Sequence, residues 1–213
     1  MKRTSLAILA TLLTMASTMF AATQASPGTQ VSPTLQVSAT VQTAIRLTLG
    51  QAAGGCAFVA PTGGQDYAMD FGTVDALAIN NGNCTGAGAG KYAPTNPGVS
   101  DDAIYYTSYM LTPQFTSQAN NSGTITAYVS TNFAANTSLT LVNGGTGAAA
   151  PAQGGFSALG IGSGNASTVA STVASGTALK GWIGVEVAHT SSSSLVGIGS
   201  SQSATVTYTL TVP

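Results

Sequence analysis

From Val31 to Leu49 the chain alternates. The odd positions read Val31, Pro33, Leu35, Val37, Ala39, Val41, Thr43, Ile45, Leu47 and Leu49, and nine of these ten are apolar. The even positions, Ser32, Thr34, Gln36, Ser38, Thr40, Gln42, Ala44, Arg46 and Thr48, are nearly all polar. A period of two predicts extended backbone with one face buried and the other wet. As a single strand the run would reach about 60 Å, against about 17–20 Å for an ordinary strand. It is therefore expected to form two strands in series, the first outside its own subunit's core. The far end repeats the pattern: Ala204, Val206, Tyr208, Leu210 and Val212 alternate with Ser203, Thr205, Thr207, Thr209 and Thr211.

Short β-favouring segments lie between these ends, each bounded by turn residues. They are Cys56–Ala60, Tyr67–Phe71, Ile104–Leu111, Thr124–Val129, Leu139–Val142 and Gly181–Ala188. In the last, Ile183, Val185 and Val187 are expected to face the core. Asn80 to Gly98 reads as a loop. Gly144 to Thr177, dominated by Gly, Ala, Ser and Thr, reads as a long surface insertion, with room for a helical turn at Val169 and Val173. Short strands between Gly/Asn/Pro turns predict an all-β sandwich or barrel.

Composition places this domain outside the cytoplasm. Lys2 and Arg3 precede an apolar stretch from Leu6 to Phe20, and small residues precede Ser26. That pattern is an export signal, with cleavage expected after Ala25. Beyond it, Arg46, Lys91 and Lys180 stand against Asp66, Asp70, Asp75, Asp101, Asp102 and Glu186. So weakly acidic a chain has no basic patch for nucleic acid or for an anionic membrane surface. No later segment is long and apolar enough to span a bilayer. Cys56 and Cys84 are the only cysteines. In an oxidising compartment they most simply form one disulfide; a metal pair or redox pair would need a CxxC or a neighbouring His, which the sequence lacks.

Residues that could carry chemistry are scattered. His189 is the only histidine; Ser191–Ser194 follow it, but there is no Gly-x-Ser-x-Gly elbow. Asp101 and Asp102 lack the spacing of a calcium loop. Asp66, Asp70 and Asp75 could supply a carboxylate pair for glycoside hydrolysis, with nothing to select one. The glycines of Gly86–Gly90 do not open a helix after a strand, so they do not read as a phosphate cradle. Asn83-Cys84-Thr85, Asn136-Thr137-Ser138 and Asn165-Ala166-Ser167 fit the glycosylation sequon. Tyr105, Tyr106 and Tyr109 crowd one strand, where they serve either a binding surface or the core. No metal, cofactor or enzymatic activity is expected.

Three pieces resemble the spore coat U-type, archaic chaperone–usher fimbrial subunits. Leu35-Gln36-Val37-Ser38-Ala39-Thr40-Val41 resembles their opening strand, Met69-Asp70-Phe71-Gly72-Thr73-Val74 their Phe-Gly strand end, and Ala204-Thr205-Val206-Thr207-Tyr208-Thr209-Leu210 their final strand. Two features differ: members often carry a cysteine near the position of Ile45, whereas here the first is Cys56, and the Gly144–Thr177 stretch lengthens the chain. The resemblance implies an immunoglobulin-like antiparallel β-sandwich over residues 41–213 that lacks one strand and is completed by the N-terminal extension of a neighbouring subunit. Residues 26–40 would be that extension, with Val31, Leu35, Val37 and Ala39 inserted. Val206, Tyr208, Leu210 and Val212 would border the groove. The partners implied are other copies or related subunits, a periplasmic chaperone and an outer-membrane usher, and the destination is the cell surface. Two rival expectations are a self-complete, monomeric secreted sandwich and a carbohydrate-binding or hydrolytic domain.

Overall fold

The computed structural model describes Ser38 and residues 44–61, 63–84, 86–95, 102–116, 122–134, 138–188 and 201–213. Residues from Gln42 to Pro213 form one compact unit. The export signal, Val31, Leu35, Val37, Ala39, Asp101, His189 and Ser191–Ser194 lie outside the described residues.

The unit is built of strands: β1 (Ile45–Gln51), β2 (Phe58–Val59), β3 (Ala68–Met69), β4 (Ala89–Tyr92), β5 (Ala103–Phe115), β6 (Gly123–Thr131), β7 (Leu139–Thr146), β8 (Ser157–Ala158), β9 (Ser167–Val173), β10 (Leu179–Val187) and β11 (Thr205–Thr211). Two short 3-10 turns, Gln153–Gly155 and Ser163–Asn165, are the helical elements among the described residues. One sheet runs β1-β5-β10-β7-β8, with β4 also on β5; a second runs β11-β6-β9; β2 and β3 form a small ribbon. All the strand ladders are antiparallel. β1 and β4 share one edge of β5: β1 pairs from Phe115 back to Tyr109, and β4 covers Thr107 to Ile104.

This order follows the immunoglobulin plan of ABED against CFG. If β1, β5, β6, β7, β10 and β11 are taken as the successive strands A to F, the first sheet reads A-B-E-D and the second F-C. β9 is an addition at the outer edge of β6. The seventh place, G, lies at the other edge of β11, and among the described residues no strand pairs there.

Alternation decides what fills the space between the sheets. Tyr105, Tyr109 and Leu111 of β5, Leu141 of β7 and Val185 and Val187 of β10 face Ile125, Ala127 and Val129 of β6 and Val169, Ala170 and Val173 of β9 in one buried cluster. Ile183 packs against it, so all three residues expected to face the core do so. The Tyr109 ring leans across its cross-strand partner Gly181, where a Cβ would meet the ring at 2.6 Å, so only glycine fits.

Three stretches correct the sequence reading. The Asn80–Gly98 loop contains β4, whose Ala89–Tyr92 backbone pairs with β5. Gly144–Thr177 is woven into the fold rather than laid over it: β8 extends the first sheet and β9 the second. Val169 and Val173 lie buried on β9, not on a helical turn.

The rest of that stretch covers the outer face of the first sheet. Phe156 packs with Trp182, Ile104 and Val142, flanked by Tyr92 and Tyr106. Trp182 donates its indole N–H to Gly147 O at 3.0 Å, and Tyr92 its hydroxyl to Pro151 O at 2.7 Å. So the first sheet is buried on both faces, which is why its central strands β5 and β10 carry large side chains on both.

Cys56 and Cys84 are bonded, their Cα atoms 4.6 Å apart. The bridge holds the turn after β1 against the approach to β4. There Gly88 N donates to Gly54 O at 3.0 Å, a backbone approach that leaves no room for a Cβ on Gly88. Gly86–Gly90 is thus a packing device. The Cys56→Ser/Cys84→Ser variant is expected to lose roughly 3–4 kcal/mol of stability in urea unfolding, from the loop released in the unfolded chain. An unchanged midpoint would contradict this role.

Candidate functional site

A groove of about 1420 Å³ runs along the start of β11. One wall is β11 itself, through Ala204, Val206 and Tyr208. The opposite wall is Leu47 and Leu49 of β1, continued by Phe58, Met69, Phe71 and Val74 of the β2–β3 region. Tyr109 of β5, Ile183 and Val185 of β10 and Leu141 of β7 present the inner face of the first sheet. The sequence places each of these side chains by the same rule: alternate residues of each strand point inward.

The groove continues the core beside an edge of β11 at which, among the described residues, no strand pairs. Leu47, Leu49, Ile183, Val206, Tyr208 and Leu210 pack against the buried cluster yet stay only partly buried themselves. β1 and β11 approach within 8 Å at Cα without sharing a ladder. Along β11, alternate N–H and C=O groups that do not bond β6 point away from it. A row of backbone donors and acceptors therefore runs beside an apolar trench.

Two tyrosines line it from opposite sheets. The Tyr109 and Tyr208 rings lie 5.6 Å apart, joining β5 of one sheet to β11 of the other. Burial pushes the Tyr208 hydroxyl up to about 12. Burial, then the adjacent Tyr208, pushes Tyr109 well above the ordinary phenol value. The Tyr109 hydroxyl faces Tyr208 without a well-aligned hydrogen bond. Both stay neutral at any physiological pH, so the groove presents no charge here.

The terminal-strand residues expected to border a groove are distributed along β11. Val206 and Tyr208 line it, Leu210 packs on the core beyond, and Val212 follows β11, half-buried. Of the three crowded tyrosines, Tyr105 and Tyr109 are core, and Tyr106 stacks on Tyr92 at a centroid distance of 4.9 Å on the outer face.

The carboxylates are occupied with loop structure. Asp70 accepts from Gly72 N at 2.8 Å and Asn83 Nδ2 at 3.2 Å. Asp75 accepts from Leu77 N, Ile79 N and Asn80 N, from Asn80 Nδ2, and from the Tyr105 hydroxyl at 3.1 Å. Burial alone would raise its pKa, but the backbone donors of Asn80, Ile79 and Leu77 and the Tyr105 hydroxyl outweigh it and lower it to about 2. Glu186 is raised, by burial first and by the neighbouring Asp102 second. Among the described residues no group of three or more His, Cys, Asp or Glu side chains could hold a metal ion. None of the described helices is long and apolar enough to cross a membrane.

The Asp75 network was not visible in the sequence; its only trace is an aspartate ahead of a short run ending in Asn80-Asn81, a turn signal. No family model, no curated protein and no solved structure matches the chain.

Asp75 gives a pH dependence with a definite sign. Its folded pKa lies below the unfolded one, so its stabilisation is complete above about pH 4 and is lost as pH falls through about 2. Because the carboxylate is largely exposed, roughly 1 kcal/mol is at stake. Asp75→Asn is expected to unfold earlier at pH 7 by that amount, with the gap to the parent closing between pH 4 and pH 2. A gap that stays constant with pH would contradict the assignment.

Proposed function

We propose that this protein is a structural subunit of an extracellular fibre that polymerises by donating a β-strand. One observation carries the reading: the A–F strands of an immunoglobulin sandwich are in place, while the position of G, beside the core, lacks a partner among the described residues.

The physical chemistry of that position selects its ligand. A strand adding to β11 would bond its free backbone groups and press alternate side chains into the trench. It must therefore be extended, apolar on every second residue, polar on the others, and without charge on its inner face. Val31, Leu35, Val37 and Ala39 meet that description, and the segment holds no charged residue. Pro33 cannot donate a ladder bond and would sit with its nitrogen turned away from β11. An antiparallel approach continues the pairing of both sheets and is the better-bonded arrangement.

Strand donation between copies explains why one run of alternation is longer than one sheet can use. Until it is filled, such a groove is an aggregation hazard, hence the need for a chaperone in transit. The disulfide fits an exported protein, and a destination at the cell surface follows from the fibre reading. The resemblance to spore coat U-type subunits supports the same conclusion. The carboxylate network argues against the hydrolytic rival at Asp70, whose oxygens are both engaged.

Assembled material run in SDS without heating is expected to give a ladder that collapses on boiling. Deleting residues 26–40 is expected to abolish the ladder while the remainder stays folded by circular dichroism. A monomer with no ladder, unfolded by the same deletion, would instead establish the self-complete sandwich.

A further inference from the structure

A second surface bears on how such subunits would touch. Leu77 is 48 % exposed and Ile79 is 74 % exposed, the highest value of any large apolar side chain described. They sit on a loop that is held rigidly. Asp75 gathers the backbone N–H groups of Leu77, Ile79 and Asn80 on one carboxylate. Lys91 Nζ clamps the other side, donating to Ile79 O at 3.2 Å, Asn80 O at 2.8 Å and Asn81 Oδ1 at 2.9 Å. Between the two apolar residues Ala78 is buried in the left-handed region, φ 53°. A non-glycine residue there costs free energy and persists only when its surroundings enforce it. The sequence thus sustains a strained, fixed loop whose product is two apolar side chains aimed at solvent. Preorganised apolar side chains of this kind are what a protein contact uses.

The position of the loop identifies the occupant. Asp75 and Ala76 are on the rim of the groove, and the loop is fastened to Tyr105, near the start of β5. At the other end of β5, opposite Phe115, β1 begins with Ile45, itself 57 % exposed. Ten residues of strand separate these ends, about 33 Å. A donated segment running antiparallel to β11 would finish at the start of β11, the loop's end of the molecule. If it finishes at Ala39, only Thr40 to Ala44 remain before the donor's Ile45, a tether of about 20 Å at most. The donor's β1 end is then held beside the acceptor's loop.

We infer that the loop at Leu77 and Ile79 of one copy and the β1 end at Ile45 of the next form a head-to-tail apolar contact. This rests on the strand-donation reading and adds a body-to-body interface to it. The contact is heterologous, so it repeats along a fibre instead of closing into a ring of two.

The test mixes two single variants of the full chain, Ile45→Cys and Ile79→Cys, and treats the assembled mixture with a short bismaleimide. Both positions are exposed, so neither substitution disturbs the core. Ile161→Cys, exposed at the far side of the second sheet, replaces Ile79→Cys in the control. Boiled samples are expected to show a covalent dimer for the Ile45/Ile79 pair and only background for the Ile45/Ile161 pair. An unheated ladder without this dimer overturns the contact and leaves strand donation standing. A dimer without any ladder supports the contact and removes strand donation. Neither dimer nor ladder overturns both.

Discussion

One constraint organises the described residues: the edge of β11 that carries no partner strand among them runs beside half-buried core side chains. On β11 two unsatisfied surfaces meet: the outward backbone groups of the strand, and the half-buried side chains Leu47, Leu49, Ile183, Val206 and Tyr208. Water satisfies the first and not the second. An apolar polymer of any shape would satisfy the second and not the first. Only an extended chain with apolar residues at alternate positions satisfies both at once. In the proposed function, residues 26–40 of a neighbouring copy are that ligand.

Elsewhere, several surfaces of the two sheets are covered by further segments of the chain. The outer face of the first sheet is sealed by Phe156 and the segment around Pro151. β8 and β9 occupy the far edges of the two sheets. The disulfide and the Gly54–Gly88 approach fasten the chain between β1 and β4, so that the wall opposite β11 is firm. Tyr109 and Tyr208 join the two sheets across the groove, their rings 5.6 Å apart.

Much of this was legible along the chain. Period-two alternation located β1, β10 and β11, and it assigned Val185 and Val187 to the core correctly. The pairing of Cys56 with Cys84 followed from their number and compartment. β4 was hidden because Ala89, Gly90 and Lys91 are residue types depleted in strands; the segment is a strand because β5 offers it an edge. β9 was hidden for a similar reason: Ser167-Thr168-Val169-Ala170-Ser171-Thr172-Val173 breaks its alternation at Thr172, where the backbone turns to φ 56°. The groove itself could not be read locally at all. It lies at an edge of β11 where, among the described residues, no strand pairs, and only strand order reveals that place.

The most direct measurement of the central claim is amide hydrogen exchange along Thr205–Thr211, in assembled protein and in the same chain kept monomeric with residues 26–40 removed. The account predicts that the β11 amides facing away from β6 exchange freely in the truncated monomer and become strongly protected on assembly, while those bonded to β6 are protected in both. Equal exchange of the outward amides in the two samples would contradict it.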